Sequence, residues 1–240
     1  MKLRLRHTKV GKIRFTSHRD TARHWERAVR KVRVPLAYSA GFTPRPKMSF
    51  GLALPTGAES LAEYLDIELA PGFVADLDAL CGQFSAALPV GYEVTHVVPR
   101  DAGSPSLQED VVACTWRLTL HGVEHAQLDE AISTTLAATA LPVDRERKGQ
   151  RSTDDVRPAI LDLSVDHVAD DPRPHLCAML ATNGRGLRPS ELVAAMFPAL
   201  DPVDTAARVL RTQQLIEREG VRREIISGLP IAPRTPAECA

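Results

Sequence analysis

Apolar and polar positions alternate at the amino end of the chain. Leu3 and Leu5 are interleaved with Lys2, Arg4 and Arg6, the period-two pattern of a strand with one buried face and a basic outer face. Gly11 interrupts it, and Ile13–Phe15 reads as resumed extended chain. From about Thr21 to Val32 the period changes. Ala22, Trp25, Val29 and Val32 recur at helical spacing and predict one buried stripe, opened by Ser17 or Asp20 as cap. Pro35 ends that helix. Met48–Leu54 and Leu61–Leu69 read as strands separated by the turn Pro55-Thr56-Gly57, Phe73–Leu88 as an amphipathic helix, and Tyr92–Val98 as a strand. The order β-α-β-β-α-β is that of a ferredoxin-like unit.

A Gly/Ser/Pro stretch at Asp101–Ser106 reads as a linker, after which the order recurs. Val111–Leu120 alternates as a strand, and Ala-rich His125–Ala140 is helical. Val143–Arg147, Ala159–Val165 and His175–Ala181 are extended, and Pro189–Phe197 is a short helix. Val209–Ile216 fits a closing strand or a helix; residues 207–220 stay open between the two. The expected architecture is α+β: tandem ferredoxin-like units with antiparallel sheets over 1–100 and 107–227, and a disordered Pro/Ala-rich tail over 228–240.

Charge sharpens this picture. Lysines plus arginines and acids each number 30, but they are segregated. Residues 1–50 carry 14 Lys and Arg against Asp20 and Glu26, whereas residues 51–140 carry 13 acids against Arg100 and Arg117. Arg19, Arg23, Arg27, Arg30 and Lys31 fall opposite the apolar stripe of the first helix, and spacings of three and four put Arg23, Arg27 and Arg30 in one row. Like charges so close predict an anionic counterpart.

Downstream lies the loop from Gly41 to Lys47. Pro44 and Pro46 flank Arg45 and enforce extended backbone, Gly41 admits close approach, and Phe42 offers a ring to an unpaired base beside Arg45 and Lys47. Guanidinium forks suit phosphate oxygens, so RNA is the expected partner, with an acidic protein surface or internal neutralisation as the alternatives. Glu59, Glu63 and Asp66 are read as partners of the basic helix rather than as a divalent-cation site, because Glu63 and Asp66 point to opposite faces of a strand. His18 is read as a helix-start residue, with activation of a 2′-hydroxyl as its functional alternative. His24, one turn on, is read as a solvated partner of Asp20.

Cys81, Cys114, Cys177 and Cys239 are scattered without the spacing of a zinc or iron–sulfur site, and neither a dinucleotide nor a P-loop motif is present. No metal and no cofactor is therefore expected. No apolar run is long enough to span a bilayer and no signal-peptide pattern opens the chain, so a cytoplasmic protein without membrane contact is expected.

Three stretches are similar to a known family. They are Arg14-Phe15-Thr16-Ser17-His18-Arg19-Asp20, Trp25-Glu26-Arg27-Ala28, and Tyr38-Ser39-Ala40-Gly41-Phe42-Thr43-Pro44-Arg45-Pro46-Lys47-Met48-Ser49-Phe50. Together with Leu54–Ser60, Glu63 and Asp66 they resemble the signature of the DUF2344 proteins, and Asp155-Val156-Arg157-Pro158 and Leu187–Glu191 resemble it more weakly. The family-motif positions are thus Ser17, His18, Asp20, Gly41, Pro44, Pro46, Ser49, Phe50, Glu59, Glu63 and Asp66. Thr43 and Arg45 stand where family members often have Asn and His. The resemblance implies association with a radical SAM enzyme, here on a separate polypeptide, since this chain lacks a cluster-binding cysteine triad. The expected function is that of a non-enzymatic accessory protein which recognises RNA (tRNA or rRNA) for that enzyme. The alternatives are a metal-independent RNA endonuclease and a protein-docking module.

Overall fold

A computed structural model describes residues 1–226 except 75, 102, 148 and 185. The chain is a mixed α+β protein with mostly antiparallel pairing, and it divides into two compact units, Met1–Val111 and Val112–Glu224, with Ile225 and Ile226 grouped with the first. The expected tail at 228–240 lies outside the described residues.

The first unit contains β1 (Lys2–Lys9), α1 (His18–Val32), β2 (Met48–Phe50), β3 (Glu59–Glu68), α2 (Leu77–Ala87), β4 (Val94–Pro99) and a terminal turn of helix, α3 (Leu107–Asp110). Its strands lie in the order β4-β1-β3, with β2 paired to β3, all antiparallel. Leu3 pairs with Ile67 and Leu5 with Leu65, so the apolar alternation of both strands falls on one face. Trp25, Ala28 and Val29 of α1 and Leu80 and Phe84 of α2 cover that face and are buried. The buried stripe of α1 is Thr21, Trp25, Ala28 and Val29. It is rotated slightly from the predicted one, because Ala22 and Val32 stay half-buried at the edges. Ser17 caps the helix by accepting from the Asp20 amide, and Arg33 ends it in the left-handed region.

Ile13–Phe15 belongs to a 3-10 turn over Gly11–Phe15, not to a strand. This turn packs against Gly91. At φ +102°, a Cβ on Gly91 would lie 2.3 Å from the Val10 carbonyl oxygen and 2.9 Å from Ile13 Cγ1. Gly91→Ala is therefore expected to destabilise the protein by about 2–4 kcal/mol, combining positive-φ strain with overpacking. Urea unfolding reads this, and a loss below about 0.5 kcal/mol, typical of a bland surface change, contradicts it.

The second unit contains β5 (Val111–Leu120), α4 (His125–Ala137), β6 (Pro142–Arg147), β7 (Gln150–Asp155), β8 (Ile160–Asp166), β9 (His175–Ala181), α5 (Pro189–Met196), α6 (Pro202–Thr205), β10 (Ala206–Arg218) and β11 (Val221–Glu224). The order is β10-β5-β9-β8, with β11 on β10 and β6-β7 as a separate hairpin. Residues 207–220, open between strand and helix, thus form most of β10 and the start of its hairpin with β11. Leu210, Arg211, Gln213, Gln214, Leu215 and Ile216 of β10 are buried. The sequence anticipated neither β7 nor β11.

Candidate nucleic-acid interface

The buried stripe of α1 fixes where its cations stand. With Trp25, Ala28 and Val29 turned to the sheet, Arg19, Arg23, Arg27, Arg30 and Lys31 are all exposed. Arg23 donates to Asp20 at 3.2 Å on the surface. The Ser17 hydroxyl, also donating to Asp20, is the larger cause of that carboxyl's lowered pKa, and Arg23 adds to it. Arg19, Arg27 and Arg30 have no carboxylate within ion-pair distance among the described residues. Lys31 donates to the Ala86 carbonyl at 3.4 Å.

Asp66 and Glu59 of β3 take other cations, which corrects for these two the expectation that they serve the basic helix. Asp66 is buried and accepts both Arg4 Nε at 2.8 Å and Arg4 Nη2 at 2.9 Å, and Arg100 Nε stands 3.3 Å from its second oxygen. Buried Glu59 accepts from the Gly11 amide at 2.7 Å, with Arg14 at 3.7 Å. Glu63 and Asp66 do occupy opposite faces, since Glu63 pairs with His7 and Asp66 with Arg4 across the ladder. Among the described residues no cluster of three or more His, Cys, Asp or Glu is arranged to hold a metal ion.

The loop after α1 is closed on itself. Tyr38 bridges to Pro46, the Ser39 amide donates to the Arg45 carbonyl at 2.9 Å, and the Arg45 amide donates to Ser39 Oγ at 3.0 Å. Gly41, at φ +125°, makes the tip conformation accessible, and Phe42 there is fully exposed. Pro44 and Arg45 are exposed and Pro46 is half-buried. Lys47 is exposed but paired with Glu68 at 3.1 Å, and this contact lowers the Glu68 pKa. Ser49 is exposed on β2, and Phe50 meets the His18 ring edge-on at 5.3 Å.

His24 is not a simple solvated partner of Asp20. Its ring packs edge-on against Tyr92 at 5.8 Å, and burial, followed by the charge of Arg27, lowers its pKa. Burial first and Arg6 second lower the pKa of His96, and burial leads again at His175. A histidine with a depressed folded-state pKa binds fewer protons folded than unfolded, so stability rises with pH across that interval. The protein is expected to lose stability as pH falls below about 6.5, where the unfolded histidines charge. Urea midpoints at pH 7.5 and 5.5 test this, and an equal or higher midpoint at pH 5.5 contradicts it.

The weaker motifs of the second half serve structure. Asp155 accepts from the Leu141 and Arg157 amides at 2.7 and 3.0 Å, and Arg157 donates to the Leu136 and Ile160 carbonyls. Glu191 accepts from the Arg188 amide and from Arg145, tying the β6-β7 hairpin to α5.

The first unit is thus a helix-covered antiparallel sheet whose first helix carries an exposed row of arginines. Over residues 2–189 the chain matches the family model described as "Uncharacterized protein conserved in bacteria (DUF2344)". The chain belongs to the DUF2344 family. A search of curated proteins finds no match. No helix among the described residues is long and apolar enough to cross a membrane.

Proposed function

We propose that this chain is a non-enzymatic recognition protein of the cytoplasm. It holds an RNA, a tRNA or rRNA, on the cationic side of α1 and presents it to a separate radical SAM enzyme. One observation carries the RNA part. Arg19, Arg27 and Arg30 remain exposed on one helix without acid partners among the described residues, although Glu59 and Asp66 have drawn in Arg14, Arg4 and Arg100. Such a row is costly in isolation and is relieved by phosphates. Phe42 supplies an uncovered ring for stacking, with Arg45 exposed close to it in the same loop. The radical SAM partner rests on the family resemblance alone.

We read both units as ferredoxin-like. In support, the orders β4-β1-β3-β2 and β10-β5-β9-β8 arrange two runs of strand-helix-strand-strand-helix-strand alike, the β6-β7 hairpin being an insertion in the second.

Affinity for unfractionated tRNA tests the reading. It is expected to fall at least about tenfold between 50 and 200 mM salt, as for three or more phosphate contacts. Absent binding, or binding flat with salt, overturns it. A second reading, metal-independent RNA cleavage, is favoured by the place of His18 at a cleft that Lys9 also lines. Labelled RNA left uncut in EDTA, or cut equally by His18→Ala, removes that reading.

A further inference from the structure

Aromatic side chains carry large apolar surfaces and belong in a core. Trp25, Tyr64, Phe84, Tyr92 and Trp116 are buried accordingly. Among the described residues the exposed aromatic side chains are Phe15 at 63%, Tyr38 at 59%, and Phe42, which is fully exposed. All three fall within residues 1–50, the stretch that carries 14 Lys and Arg. One exposed apolar side chain needs no explanation. Three rings confined to the cationic end of the chain do. Phe15 is also held in place. It closes the 3-10 turn that leads into α1. The Arg14 guanidinium lies over its ring, 4.8 Å from the centroid, and is itself drawn to buried Glu59 at 3.7 Å. The Gly57 amide donates to the Arg14 carbonyl at 2.9 Å, and a Cβ on Gly57 would lie 3.8 Å from Phe15 Cε1. Guanidinium and turn thus support the phenyl from one side, and the rest of it stands in solvent. A ring fixed in this way loses little freedom on binding.

Phe15 and the loop rings belong to different ends of α1. His18, in the first turn of α1, meets Phe50, which pairs with Leu65. The loop that carries Tyr38 and Phe42 leaves the sheet where Leu36 bridges to Leu69. Leu65 and Leu69 stand about 13 Å apart along extended chain. Exposed Lys12 and Arg19 flank Phe15 in the chain, and Arg27 and Arg30 lie between it and the loop. Rings set among cations have a specific complement. A duplex shows its phosphates and keeps its base faces stacked inside, so it would use the cations and leave the rings idle. An unpaired strand offers phosphates and free base faces together, and any base can stack on a ring.

We propose that Phe15 is a stacking platform for an unpaired base, and that α1 with its flanking rings takes a single-stranded segment of RNA rather than a duplex. The inference rests on the RNA reading above and narrows it. α1 has 15 residues and is about 22 Å long, which matches roughly six nucleotides at about 3.4 Å each. Affinities of the full chain for a ten-nucleotide oligouridylate and for a ten-base-pair RNA duplex, at one salt concentration, test it. The single strand is expected to bind more tightly. Phe15→Ala should weaken single-strand binding about tenfold, the loss of one stacked base, with the dependence on salt unchanged because no phosphate contact is removed. Phe15→Tyr keeps the ring and should restore affinity to within about twofold of the natural protein. If Phe15→Ala fails to fold, Phe15→Leu, which keeps an apolar side chain against the turn, carries the test with a loss in the same direction. Equal or tighter binding of the duplex, or single-strand affinity unchanged without the ring, overturns the platform and leaves salt-dependent RNA binding by α1 standing. A loss that Phe15→Tyr does not restore assigns Phe15 a structural role and overturns the platform as well. Binding of neither RNA overturns the RNA reading itself, and the platform with it.

Discussion

Asp66→Ala is expected to destabilise the protein by about 3–5 kcal/mol, because it strands buried cations. The Arg4 side chain is 8% exposed and gives Asp66 two parallel hydrogen bonds, one to each oxygen, while Arg100, 16% exposed, stands 3.3 Å from Oδ2. With the carboxylate gone, a guanidinium is left buried with its main countercharge removed. The triple replacement Arg4→Met/Asp66→Leu/Arg100→Met removes all three charges and is expected to cost far less, since apolar substitutes of similar volume restore packing without desolvation. Urea unfolding of both proteins reads the contrast. A loss below about 1 kcal/mol for Asp66→Ala would show that water reaches the triad and that its pairing is of surface type. The result bears on function too: Arg4, Arg14 and Arg100 are engaged by acids within the first unit, which separates them from the arginines of α1.

Those arginines supply the second large effect. Arg19→Gln/Arg27→Gln/Arg30→Gln is expected to weaken RNA binding about 100-fold at 0.1 M salt. Each phosphate contact with a single strand contributes a slope near 0.7 in log affinity against log salt, which is roughly fivefold over one decade, and three contacts multiply. Stability should change little, because all three side chains are exposed and none holds a carboxylate among the described residues. Equilibrium binding paired with urea midpoints separates the two effects. Unchanged affinity in a folded variant would move any RNA site away from α1.

The sequence displayed the α1 face clearly because two independent patterns agree there. The helical recurrence of Trp25 and Val29 fixes the inward side, and the arginine spacing then has only the outward side left. Thr21 and Ala28 complete the buried stripe, yet small or polar side chains carry weak periodic signal. His7 and Lys9 are buried without showing it, for a related reason: period two from Leu3 and Leu5 places them inside, but an imidazole and an ammonium carry no apolar signal. Partners of the β3 acids were not legible, since Arg4 and Asp66 meet through strand register over a separation of 62 residues. β7, Gln-Arg-Ser-Thr-Asp-Asp, has no apolar alternation at all; pairing with β6 makes it a strand. In β10, buried Arg211, Gln213 and Gln214 blur the alternation that would have separated strand from helix.

The side-chain Nε–H NMR signals of Arg19, Arg27 and Arg30, followed while an RNA oligonucleotide is added, report on the landing zone itself. The account predicts that these three signals shift together and saturate, and that added salt reverses the shift. If they stay in place while RNA binds, or while signals of the second unit move instead, the exposed arginines of α1 are not where the phosphates sit.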